Sequence, residues 1–376
     1  MMDLTTDGSA PQSVRVDSEV EYFRGGGGHP TMSTGYVYDE MFLKHNQLGH
    51  PENRSRLEQT LALLETTGML ARLTQIPARP ASREELTRVH TSSYVDQVQA
   101  ISERGGGHLD PDTYTNADSY QAALLAAGGL IEATLAVIDG QVRNAFALVR
   151  PPGHHAMPGR GMGFCLFGNV AIAAVAARQD RGLDRVLIVD FDVHHGNGTQ
   201  AMLEQEPAIC FVSTHQYPYY PGTGAAHETG LGAGQGTVVN MPLSPGAGDL
   251  VFQELYQQVL TPVARRFAPD LILVSAGFDA HWDDPLAGLG LSLGGYAWIV
   301  RTLTSLAEEL CGGRIVFTLE GGYHLDVLSY GVLNTFHALL GDQTVEDPLG
   351  PSRWSEPDAA EYIASLRQLH GLDDAG

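Results

Sequence analysis

Short, nearly continuous apolar runs punctuate the chain: Phe146–Val149, Val186–Val189, Ile209–Val212, Leu271–Val274 and Ile315–Leu319. Runs of Val, Ile, Leu and Phe without polar alternation are what strands covered on both faces require. Gly35–Asp39 reads as an earlier strand, and apolar residues recur three and four apart over Glu52–Thr66 and Ser119–Ile138, which predicts two amphipathic helices. Strands alternating with helices predict an α/β fold, a single domain with a central, mostly parallel sheet flanked by helices. Polar and histidine-rich residues fall just after each run. Those are the carboxyl ends of the strands, where open α/β sheets place their sites.

The main domain is expected to span 34–345, after a disordered leader over 1–33 and before a C-terminal extension, 346–376, that packs on the domain or trails from it. Gly25–Gly28 and Gly105–Gly107 read as loops, and neither precedes a helix as a phosphate loop should.

Composition narrows the function. The formal net charge of −22, with Lys44 the only lysine, argues against nucleic acid, whose phosphates need clustered cations, and favours a cationic substrate. No unbroken apolar run reaches the ~18 residues of a membrane span, so no membrane partner is expected. The amino terminus lacks the basic-then-apolar order of a secretory signal. Cys165, Cys210 and Cys311 cannot all pair and show no CxxC spacing, which speaks against a disulfide framework or a thiolate zinc site. A cytoplasmic location fits these features.

Four segments carry candidate chemistry. In Val189–Gly196 a strand ends in charge, and a period of two would send Asp190, Asp192 and His194 to one face. Two carboxylates and an imidazole crowded at a buried strand end call for a compensating cation. Asp279, after the strand beginning at Leu271, could complete an Asp, His, Asp set. Three N and O ligands with open positions describe a catalytic metal site, for which zinc leads and ferrous iron, cobalt or manganese would serve. In Arg150–His155 a Pro-Pro-Gly loop presents His154 and His155, adjacent imidazoles suited to proton transfer near neutral pH. Leu319–His324 closes another strand with two glycines and Tyr323, whose phenol could donate to a developing oxyanion. Each alone has an ordinary explanation: a solvated strand end, an exposed loop or aromatic packing.

Together, their order and wording resemble the histone deacetylases, especially the class II members and related bacterial amidohydrolases. The likeness runs from about Gly35 to Leu340 and includes Gly49–Glu52, Arg150–His155, Gly163–Cys165, Asp190–Gln200, Tyr220–Gly224, Gly277–Ala280 and Leu319–Tyr323. The resemblance implies the arginase-deacetylase fold, one zinc on Asp192, His194 and Asp279, and Tyr323 as the catalytic tyrosine. It makes His155 the general base, His154 its electrostatic companion coupled to Asp190, and Asn197 the residue that orients His155. It sets Phe164 and Tyr220 as walls of an acyl-lysine tunnel, with the Gly163 carbonyl accepting the substrate amide. It also puts Asp110 or Asp112 at the rim, Arg56 at the product exit, and a structural potassium near Asp190, Asp192, His194, Ser213 and Thr214. Leu286 stands where polyamine-selective relatives carry glutamate, which favours acyl-lysine over acetylated polyamines. A dimanganese ureohydrolase is disfavoured, because Gly196 and His281 stand where it carries its additional aspartates. The remaining alternative is a silent acyl-lysine binding module. The expected partners are acyl-lysine peptides or proteins or small acylated amines, and an oligomer is compatible with the sequence.

Overall fold

The computed structural model describes residues 33–373. The expected leader, apart from Ser33, and the Gly25–Gly28 loop lie outside them. Ten strands are present among the described residues: β1 (Thr34–Val37), β2 (Thr74–Ile76), β3 (Gly106–Asp110), β4 (Thr113–Asn116), β5 (Asn144–Ala147), β6 (Val186–Asp190), β7 (Ile209–Gln216), β8 (Val238–Leu243), β9 (Leu271–Ala276) and β10 (Ile315–Leu319). Eight of them form one parallel sheet in the order β2-β1-β5-β10-β9-β6-β7-β8. Every residue of β5, β6, β9 and β10 is buried, as their unalternating composition requires.

Helices Ser119–Ile138 and Asn169–Arg181 pack together against the sheet, and Ser55–Thr66, Leu293–Cys311 and Leu325–Leu339 form a second layer. The α/β reading holds, with four corrections. Gly105–Gly107 is not simply a loop, since Gly106 begins β3, which pairs antiparallel with β4. Helix Ser119–Ile138 is not amphipathic, because 14 of its 20 residues are buried and they lie on all its faces. It is also long and apolar enough by length and composition to cross a membrane, which counting unbroken runs missed: polar interruptions barely lower its mean. Here 72% of its most apolar 18-residue window is buried inside the protein. Finally, β6 ends at Asp190, so Asp192 and His194 sit on the following loop and not on one strand face.

Of the C-terminal extension, helix Ala360–Leu369 joins the main core through Ile363 and Leu366.

Candidate metal centre and active site

The loops leaving β6, β9 and β10 converge. Asp192, His194 and Asp279 each present one ligand atom, all within 4.8 Å of one another. His194 Nδ1 lies 3.1 Å from Asp192 Oδ1 and 3.4 Å from Asp279 Oδ2. Both carboxylates are fully buried, and Asp279 Oδ2 has no hydrogen-bond partner. Burial alone would lower His194, yet the two carboxylates push it up to about 10. The cluster demands a positive charge, and a divalent cation fits these N and O donors with further positions open.

Glycines let this cluster close. Gly321 donates its N–H to Asp192 Oδ2 at 2.8 Å, and a Cβ there would collide with Asp279 Oδ2. Gly163 has φ of 55° and lies against the His155 ring, where a Cβ would also collide.

The two adjacent histidines have opposite electrostatics. His154 Nδ1 sits 3.1 Å from Asp190 Oδ2. Burial opposes its charge, but Asp192 and Asp190 hold its pKa well above the ordinary imidazole value. His155 is driven well below that value by burial and by neighbouring His154 and His194. Its Nδ1 lies 2.8 Å from Asn197 Oδ1. The ring centroids of the pair are 4.0 Å apart. One imidazole therefore favours the cationic state and the other stays neutral, as a base requires. Burial and Asp279 raise the Tyr323 phenol well above its ordinary value, so it remains a proton-bearing donor.

A cavity of ≈ 250 Å³ opens onto these groups, lined by His155, His194 and Tyr323 within and by Asp112, Gly163, Phe164, Tyr219, Tyr220 and Leu286 around them. Phe164 meets Tyr323 edge-on with centroids 5.9 Å apart, and Tyr220 meets His155 edge-on at 5.1 Å. Phe164 takes a positive φ of 68°, and its N–H donates to Thr113 Oγ1 at 3.0 Å. A larger surface groove, ≈ 620 Å³, shares no lining residue with this cavity and carries no comparable chemistry.

The remaining sequence-derived positions divide. Asp112 reaches the cavity, whereas Asp110 accepts the N–H groups of Asp112 and Thr113 in the β3–β4 turn. Arg56 is fully buried and donates to the carbonyls of Gly322 and Glu320 and to Glu52, with its guanidinium carbon 5.2 Å from the Tyr323 ring centroid. Ser213 pairs with Asp190 across β6 and β7, and Thr214 Oγ1 donates to the Asp190 carbonyl at 3.4 Å.

Three residues were not singled out from sequence. Tyr219 stacks on His194 and donates to the Leu286 carbonyl. Glu320 accepts the N–H groups of Gly153 and His154, tying their loop to β10. Asp284 holds loop amides near Tyr323. Tyr219 adjoins Tyr220–Gly224 and Glu320 lies within Leu319–Tyr323, but neither position by itself points to the role.

Paired histidines, a donor tyrosine and a cation-demanding carboxylate cluster at the carboxyl edge of a parallel sheet define a hydrolase of the α/β class. The histone deacetylase domain matches residues 50–339, and the chain belongs to the histone deacetylase family. It is 41% identical over 354 residues to histone deacetylase 10, chloroplastic, of Oryza sativa subsp. japonica, covering 88% of this chain and 79% of that one. It is 42% identical to a probable deacetylase of Archaeoglobus fulgidus, covering 91% and 96%. It is 40% identical to the histone deacetylase-like amidohydrolase of Pseudomonas aeruginosa, covering 85% and 89%. The crystal structure of the HDA15 HD domain superposes with a TM-score of 0.83 at 40% identity, covering 91% of this chain and 95% of that one.

Proposed function

We propose that the chain hydrolyses the amide of N-epsilon-acyl-lysine with zinc held by Asp192, His194 and Asp279. The observation that carries this reading is that His194 of the cation-demanding cluster, the neutral His155 and Tyr323 all line one cavity walled by aromatic rings. When bound, zinc polarises the substrate carbonyl and acidifies water. His155, held by Asn197, takes the proton of the attacking water, while the cationic His154 and Asp190 stabilise the charge beside it. Tyr323 donates to the oxyanion of the tetrahedral intermediate, and the Gly163 carbonyl accepts the substrate amide N–H. His155 then gives that proton to the amide nitrogen as the C–N bond breaks, so the products are a free amine and a carboxylate.

Between Phe164 and Tyr220 a lysine stem would be desolvated at ~0.8 kcal/mol per methylene, roughly 3 kcal/mol over four, without reading adjacent sequence. A structural potassium beside Asp190, Asp192, His194, Ser213 and Thr214 belongs to the same proposal, with Arg56 behind Tyr323 on the product side. A cytoplasmic location is supported by three free, buried cysteines.

Asp112 at the cavity favours a second substrate class, acetylated polyamines, whose distal ammonium a rim carboxylate would meet. Leu286 on the same rim favours the lysine stem. The test is a side-by-side turnover assay of acetyl-lysine peptides, longer acyl-lysines and acetylated polyamines with zinc supplied. Fastest turnover of an acyl-lysine supports the proposal. Preference for the polyamine would transfer it to the second class, and tight binding without hydrolysis of any substrate would leave a silent binding module.

A further inference from the structure

The Tyr323 side chain is carried by a segment that its own strand does not hold. β10 ends at Leu319, and Gly321 and Gly322, the latter at φ of 115°, leave the backbone between them and the phenol little intrinsic preference. The segment is instead fastened group by group from outside. Phe278 N–H donates to the Gly321 carbonyl and Arg56 to the Gly322 carbonyl, while Gly321 N–H goes to Asp192. The amides of Tyr323 and His324 both go to one atom, Oδ2 of Asp284, at 2.8 and 3.2 Å. The other oxygen of that carboxylate accepts the N–H of Leu286 at 2.9 Å. Asp284 is buried, so water cannot readily replace these bonds. The Leu286 carbonyl in turn accepts the Tyr219 hydroxyl at 2.5 Å. A continuous chain of hydrogen bonds thus runs from the cavity rim, through Asp284, to the backbone of Tyr323.

We infer that Asp284 is a positioning residue that anchors the Tyr323 phenol and the Leu286 rim to a single carboxylate. The inference rests on the reading of Tyr323 as oxyanion donor. Asp284 does not touch the reacting atoms in this account. It acts by fixing where the phenol stands, because a displacement of about 1 Å in a catalytic group can cost on the order of 10²-fold in rate. Its effect on turnover should therefore exist only while the phenol hydroxyl is present.

The test is a double-mutant cycle on the zinc-loaded enzyme, measuring kcat for an acetyl-lysine peptide in wild type, Asp284→Ala, Tyr323→Phe and the double variant. Tyr323→Phe is expected to lose about 10²-fold. Asp284→Ala is expected to lose about tenfold in the wild-type background and less than twofold in the Tyr323→Phe background. Should Asp284→Ala lack a cooperative thermal transition, the same cycle is run with Asp284→Asn, whose single carbonyl oxygen cannot serve both sides. A kcat loss of threefold or more that vanishes without the hydroxyl then supports the anchor. With either variant, no loss in wild type, or an equal loss in both backgrounds, overturns it. Near-normal turnover by Tyr323→Phe alone would remove the oxyanion reading first and the anchor with it.

Discussion

Nδ1 of His155 lies 2.8 Å from Oδ1 of Asn197, and the amide nitrogen of Asn197 turns the other way, toward the sulfurs of Met157 and Met162. An amide oxygen can only accept, so Nδ1 carries the proton and Nε2 is left as the basic nitrogen. Asn197→Leu preserves bulk but removes the acceptor. Its kcat/KM should fall on the order of 10²-fold, the lower end of what a positioned base contributes, with zinc content and melting temperature unchanged. Steady-state kinetics beside elemental analysis checks this, and activity within twofold of wild type would detach Asn197 from the mechanism.

Leu286 sets substrate choice in this account. Leu286→Glu should shift the ratio of catalytic efficiencies from acetyl-lysine peptides toward acetylated polyamines by about ten- to a hundredfold, because the new carboxylate pairs with a distal ammonium and sits poorly beside an apolar lysine stem. Both substrates must be assayed on both proteins, since selectivity is a difference between two affinities. An unchanged ratio would show that the rim selects by other means.

Two pH-dependent contributions to stability originate away from the metal cluster. His90 accepts Gly168 N–H at Nε2 and donates from Nδ1 to the Met157 carbonyl, and burial lowers its pKa from 6.5 to about 4. Below 6.5 the unfolded chain takes up this proton and the folded chain does not, so stability is lost as pH falls from 6.5 toward 4. Glu52 is lowered to about 2: burial opposes its charge, but Arg150 and Arg56 outweigh it. Its contribution is intact above 4.5 and is lost as pH falls from 4.5 toward 2. The stability advantage of wild type over His90→Gln should therefore shrink as pH falls from 7 to 4, read as the difference between the two melting temperatures at each pH. A difference that does not change with pH would show that His90 makes no such contribution.

The parts of the fold that sequence revealed are those where one interaction dominates. Ile315–Leu319 is apolar but for Thr318 and coincides with β10. By contrast β7 continues through Ser213, Thr214, His215 and Gln216, polar residues buried in the sheet that an apolar pattern cannot register. β8 escaped notice because Asn240 and Pro242 interrupt it, and the proline is accommodated on an edge strand. The site divides in the same way. Asp192, His194, Asp279 and Tyr323 follow strand ends and carry distinctive wording. Glu320 lies within the Leu319–Tyr323 segment and Asp284 two residues before Leu286, yet both bind backbone amides of other segments, a role that depends on tertiary proximity and leaves no local pattern.

The most direct test of the central claim is a zinc titration of chelator-stripped protein, reading acetate release from an acetyl-lysine peptide for wild type and Asp192→Ala. The wild type should be inactive when stripped and recover to a plateau at about one zinc per chain, while Asp192→Ala should hold zinc weakly and recover little, since loss of one ligand in three leaves the cation poorly held. Undiminished hydrolysis by the stripped protein, or full zinc content and activity in Asp192→Ala, would contradict the proposed centre.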